Sequence, residues 1–195
     1  MRIFKVNTKP QSHNIDVSDR ETIFIYGKTS GLIDVTINLV KANAEAYLYG
    51  IFWGIENNTI DIKTTTNHKV GNTSSRVLIK GIWKDNSIFN YRGMIRIENG
   101  AQLSDAYLQN DNISLSDSAS VNSSPQLEIN ADDVKASHGV TISTIDDFEK
   151  YYLASRGLEP KYSENLIISG FVKDIMDKLG NENNIKSLVE LDHYE

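Results

Sequence analysis

Four histidines, two adjacent aspartates and an arginine–glycine step are the residues of this chain that could do chemistry. The histidines are His13, His68, His138 and His193. An imidazole can move a proton, hold a metal ion or replace a thiolate on an iron–sulfur centre. His138 stands between Ser137 and Gly139, small neighbours that leave its ring free to meet an ion or a partner. It is the candidate ligand; the plainer reading is a histidine that hydrogen-bonds a neighbouring strand. His68 lies in a threonine-rich stretch and is read as a surface or inter-strand hydrogen-bonding group. His13 falls in an expected loop and His193 in the tail, and neither carries an assignment. Asp132 and Asp133 could suggest the paired carboxylates of glycoside chemistry. Adjacent residues of a strand point to opposite faces, so a turn is the better reading. Glu128, between Leu127 and Ile129, is expected to face solvent or to pair with a lysine such as Lys135. Arg156-Gly157 reads as a helix end with its cap, or as an arginine that anchors an acidic group of a partner.

The chain has no cysteine. Disulfides, thiolate zinc sites, thiol nucleophiles and a cluster held by the chain's own thiolates are therefore excluded. No Gly-x-x-x-x-Gly-Lys-Ser/Thr loop is present, so ATP is not expected to bind by a P-loop. With 20 basic and 26 acidic residues the net charge is -6, which argues against a nucleic-acid groove. No apolar run is long enough to span a bilayer, and Met1–Lys5 leads into polar sequence with no signal-peptide core. A cytoplasmic location is expected.

The elements that must position these residues read as short strands. Thr22–Tyr26 is rich in β-branched and aromatic residues and stops at Gly27. Ile33, Val35, Ile37 and Leu39 alternate with other residues, the mark of a strand with one buried face. Residues 46–54 and 58–64 continue the pattern, whereas the polar run Gln11–Asn14 after Pro10 suggests a loop. A unit recurs at Lys84–Phe89, Glu98–Leu103 and Ser116–Val121: a polar or glycine corner, a small residue, then apolar residues. Asn and Asp suit such corners because they tolerate positive φ. Stacked coils of a parallel β-helix fit the pattern best; a β-sandwich is the competing fold. From Ser143 or Thr144, either of which could cap a helix, the spacing turns helical. Ile145, Phe148, Tyr152 and Leu153 lead to Gly157. A second helix is expected from Ser163 to Gly180, with Leu166, Ile167, Phe171, Ile175, Met176 and Leu179 on its apolar face. A third is expected from about Asn184 to Leu191. The division is thus a β-body over 1–142, its first twenty or so residues a loop or cap, and a helical region over 143–195.

Five blocks in order give the chain a family resemblance. They are Thr66-x-His68 with Thr73–Gly81; Ala101-Gln102-x-x-Asp105-Ala106-x-x-Gln109; Pro125–Thr141; Tyr152-Leu153-x-Ser155-Arg156-Gly157; and Gly170-Phe171. Together they resemble the core of the SufB/SufD family of iron–sulfur cluster assembly proteins. The resemblance implies a right-handed parallel β-helix followed by helices. It implies a non-enzymatic scaffold that binds a SufC-type ABC ATPase through the helical region, with Arg156, Gly157 and Phe171 as candidate contacts. It also implies a site where a cluster is built, with His138 as candidate ligand for iron or for a transient iron–sulfur cluster. SufD-type members carry Cys-x-His where this chain has Ala136-Ser137-His138, so the cluster is either transient here or absent. A core this short is expected to pair with itself as a homodimer, or with a SufB-like relative. The rival readings are a self-assembling structural β-helix without a cluster role and a carbohydrate-active β-helix enzyme.

Overall fold

The structure, a computed structural model, describes residues 1–180. Eleven strands precede two helices. The odd-numbered strands are β1 (Arg2–Lys5), β3 (Arg20–Gly27), β5 (Glu45–Gly54), β7 (Ser74–Trp83), β9 (Asp105–Ser114) and β11 (Lys135–Thr144); they form a six-stranded sheet in that order. The even-numbered ones, β2 (Gln11–Val17), β4 (Gly31–Leu39), β6 (Thr59–His68), β8 (Ile88–Ile97) and β10 (Ser120–Ile129), form a five-stranded sheet. Every pairing is parallel. The chain therefore winds as a parallel β-solenoid, and the sandwich alternative, which is antiparallel, is excluded.

The winding sets the period. Asp34 and Lys63 are 29 residues apart and stand side by side, as do Asn110 and Ile79 at 31 and Thr141 and Asp111 at 30. The recurring corner unit of the sequence is thus half a coil, and successive units turn the chain from one sheet to the other. Asn43, Asn72 and Asp85 occupy those corners at φ 66°, 54° and 58°, as their side chains allow. Glu56 and Leu103 take the same left-handed conformation at φ 55° and 59° without that advantage. Asp132 and Asp133 stand at a corner as well: the Leu103 amide donates to the Asp133 carbonyl at 2.6 Å.

Alternate residues of both sheets point into the coil and stack in columns. Ile33, Val35, Ile37 and Leu39 are buried, as their period of two predicts. Trp83 is stacked on Phe89 with ring centroids 4.3 Å apart. The Gly81 position leaves the space for that indole, because a Cβ there would overlap it.

The N-terminal stretch departs from expectation. Gln11–Asn14 is not a loop but the start of β2, paired with β4. Its inward positions are Gln11, His13, Ile15 and Val17, so the apolar alternation is half hidden; the His13 ring fills its place by stacking on Phe4 at 3.8 Å.

Helix α1 spans Asp147–Ser155 and α2 spans Pro160–Leu179. Ser143 and Thr144 belong to β11; the cap is Asp146, which accepts a hydrogen bond from the Phe148 amide at 2.9 Å. Gly157 (φ 87°) ends α1 in a Schellman turn: its amide donates to the Ala154 carbonyl and that of Leu158 to the Leu153 carbonyl. Helix α2 starts at Pro160, earlier than Ser163, because a proline in the first turn costs no hydrogen bond. Its buried stripe is Ile168, Val172, Ile175 and Leu179, rotated from the expected face, and Leu166 is 54% exposed. These residues pack on Phe24, Tyr26, Tyr49, Ile51, Trp53 and Ile82, forming a second core on the outer face of the six-stranded sheet. Lys80 pins the helix there. Its Nζ donates to the Phe171 carbonyl at 2.5 Å, pairs with Asp174 at 2.7 Å and lies 4.6 Å from the Phe171 ring centroid. The expected third helix lies outside the described residues. No helix among those described is long and apolar enough to cross a membrane.

Candidate functional site: the open end of the solenoid and the helical face

The inward columns explain where His138 stands. Ile23, Leu48, Val77 and Leu108 occupy one register position in β3, β5, β7 and β9, and all are buried. His138 is the next member of that column, in register with Leu108. It is exposed because β11 is the last strand of its sheet among the described residues. The same holds for its neighbours on that side of the strand: Val140 and Ile142 continue core columns yet meet solvent, Ile142 at 53% exposure. Strand β10 ends the other sheet in the same way, with Ile129 exposed and Val121 and Leu127 half-buried. Among the described residues the solenoid thus has an open end: core-type side chains without a covering layer, framed by two strand edges whose outer amides and carbonyls have no ladder partner. Such edges are templates for pairing with another chain.

Ala136 and His138 lie two residues apart and so share the inward side of β11. Where the family resemblance implies a thiol, this chain has the Ala136 methyl group beside the imidazole. Among the described residues no three His, Asp or Glu side chains converge as a metal site would need. One imidazole is one ligand, so the described residues of this end do not make up the donor set of an iron or cluster site.

His68, by contrast, is a buried structural group. Its Nδ1 lies 2.7 Å from Thr73 Oγ1 and its Nε2 2.8 Å from Ser75 Oγ; Thr73 in turn reaches Ser104 Oγ at 3.0 Å. The cluster ties the end of one coil to the start of the next. Burial lowers the His68 pKa to about 4, so the ring is neutral at pH 7. This bears out the hydrogen-bonding reading. Glu128 is paired, but with Arg96 on β8 at 2.9 Å rather than with Lys135, and that guanidinium holds its carboxyl below the ordinary value.

The helices offer a second surface. Helix α1 buries none of its residues, and Phe148 and Tyr151 are each 72% exposed. Tyr152 on the same helix, and Tyr162 and Leu166 on α2, are also exposed. Large aromatic side chains exposed on a short helical hairpin are a candidate contact surface. Arg156 lies beside it with its guanidinium 5.3 Å from the Tyr152 ring, exposed and available. Gly157 shapes the turn rather than offering a side chain. Phe171 is half-buried against the second core, its ring and carbonyl engaged by Lys80. Sequence reasoning missed the exposed face of α1, although Phe148, Tyr151 and Tyr152 at spacings of three and four were its signal.

Compared with known proteins, residues 8–171 match the family model described as SUF system FeS cluster assembly, SufBD core domain. The chain is 36% identical over 128 residues, 66% of its length, to the iron–sulfur cluster assembly protein SufD of Escherichia coli, covering 30% of that protein. It is 33% identical over 122 residues to the SufD of Bacillus subtilis, 62% of this chain and 28% of that one. A SufBD family protein of Synechocystis is 40% identical over 89 residues, 46% of this chain and 20% of its own. The chain therefore spans less than a third of these relatives. A parallel solenoid with a helix packed on its outer face, matched over most of its length by the family's core domain, makes this chain a member of the SufB/SufD family of iron–sulfur cluster assembly proteins.

Proposed function

We propose that the chain is a non-enzymatic scaffold of an iron–sulfur assembly complex in the cytoplasm, docking a SufC-type ABC ATPase on its helical hairpin. The observation that carries this is α1, a helix with no buried residue and with Phe148 and Tyr151 turned to solvent. An isolated nine-residue helix is marginal in water, so this one gains most if a partner covers it. The ATPase hydrolyses the nucleotide; this chain supplies surface. Pairing with a second copy, or with a SufB-like relative, uses the open end. Strand edges of β10 and β11 and the exposed Val140 and Ile142 then become an interface, and His138 offers one ligand to iron or to a cluster in transit, with the remaining ligands on the partner.

The test is a binding titration against the ABC ATPase of the same organism. Phe148→Ser/Tyr151→Ser removes the aromatic anchors and leaves both cores intact, whereas truncation before α2 would uncover the second core. The double variant is expected to weaken binding at least about a hundredfold, as loss of two aromatic hot spots does. Unchanged affinity sinks the docking surface. Absence of binding by the wild type, together with stable homo-oligomers, favours a second reading that the open end also supports: a structural β-helix that assembles with itself.

A further inference from the structure

The corner between β8 and β9 holds the chain's one Asn-Gly step, Asn99-Gly100. The Ala101 amide donates to the Glu98 carbonyl at 2.9 Å, and neither central residue has a positive φ, so this is a type I turn with Asn99 and Gly100 at its tip. Three other corners use their asparagine differently. Ala44, Asn58 and Ser87 each follow an asparagine, and each closes its turn with its own amide, on Lys41, Ile55 and Lys84 at 3.1, 3.1 and 3.2 Å. At Asn99 the turn closes one residue later. The Gly100 amide is therefore exposed and donates to nothing among the described residues, and the Asn99 side chain is equally free. No atom lies within 4 Å of the place a Gly100 Cβ would take, so nothing shields the peptide. A carboxamide beside a free, uncrowded amide nitrogen can close a five-membered ring with it. The position also has leverage, because Gln102 clamps three corners together. Its Nε2 donates to the Asn99 carbonyl at 3.1 Å, its Oε1 accepts from the Asp133 amide at 2.8 Å, and its carbonyl accepts from the Asn72 amide at 2.9 Å.

We propose that Asn99 is a self-modification site, which deamidates through a succinimide and thereby loosens the coil that follows. Base takes the Gly100 amide proton, and the nitrogen attacks Cγ of Asn99. The Cγ–Nδ2 bond breaks, and ammonia leaves with the returned proton. Water then opens the ring at either carbonyl, giving an aspartate or, with the chain rerouted through Cγ, an isoaspartate. No oxidant or cofactor enters. Either product adds a negative charge beside Glu98. The isoaspartate also adds a methylene to the backbone and takes the Asn99 carbonyl, the anchor of Gln102, out of the main chain. The proposal stands apart from the assembly role.

The test ages the full chain in mildly alkaline buffer and reads its peptides by mass spectrometry, with isoaspartyl methyltransferase labelling to tell isoaspartate from aspartate. Position 99 should gain one mass unit, while Asn43, Asn57 and Asn86, whose following amides are engaged, should not. Gly100→Ala fits the open turn without strain. It should slow the gain about tenfold or more, because the methyl crowds the attacking nitrogen and narrows the dihedrals it can reach. Asn99→Gln should abolish the gain, since its longer side chain would have to close a larger ring. Circular dichroism of both variants should match wild type. In aged protein carrying the isoaspartate, amide exchange at 130–135 should quicken about threefold or more, while β4 and β6 stay slow. A chain that ages with position 99 unchanged, an equal rate in Gly100→Ala, or isoaspartate-bearing protein whose exchange at 130–135 matches fresh protein overturns the proposal.

Discussion

Substituting His68 by Gln should flatten the pH dependence of stability between about pH 4 and 6.5. The imidazole is fully buried, and both its nitrogens are held by hydroxyl groups. Burial is the main cause that lowers its pKa from 6.5 to about 4. The folded state therefore prefers the neutral ring. Below the unfolded pKa the unfolded chain binds the proton first, so His68 contributes stability above pH 6.5 that is lost as pH falls toward the folded pKa. At 1.36 kcal/mol per unit, the contribution is roughly 3 kcal/mol in order of magnitude. Carboxylates titrate in the same window, so the quantity to read is the difference between wild type and variant. Urea unfolding at pH 7 and pH 4.5 supplies it. At pH 7 the variant should be less stable by about 1–3 kcal/mol, for lost packing and a hydroxyl left without its partner. Toward pH 4 the gap should close as the wild type loses what the variant never had. A gap that stays constant across the range would refute the buried neutral histidine.

Other outcomes follow from single contacts. Leu103 pays left-handed strain at φ 59° while 57% exposed, so Leu103→Gly should raise stability by about 1 kcal/mol in a thermal melt. Gly81→Ala forces a methyl into the Trp83 indole, and should destabilise by about 1–3 kcal/mol with a shift in tryptophan emission. Lys80→Met removes the pin on α2 but leaves the apolar stripe; amide exchange in 160–179 should quicken while exchange within β4 and β6 stays slow.

Much of the body was legible because β-strands with one buried face must alternate. Ile33, Val35, Ile37 and Leu39 carry that signal without ambiguity. The first coil was hidden, since His13 and Gln11 take inward places usually held by aliphatic residues, and only pairing with β4 discloses the strand. The coil period was legible at half its value, because corners on both sides of the coil look alike in sequence. The buried stripe of α2 was misjudged by a rotation: the apolar residues outnumber what one contact can cover, and Lys80 on the sheet decides which side turns inward. His138 drew notice by type and neighbours, yet its exposure has a cause that spacing could not supply. It belongs to a core column and meets solvent because β11 is the last strand of its sheet among the described residues.

Light scattering on the chain co-expressed with the ABC ATPase tests the central claim most directly. The account predicts a particle heavier than one copy of each protein. It should lose the ATPase with Phe148→Ser/Tyr151→Ser, and should fall to one copy of each with Ile142→Asp, which puts a charge on the open end. A monomer of unchanged mass for wild type and both variants, with or without nucleotide, would contradict it.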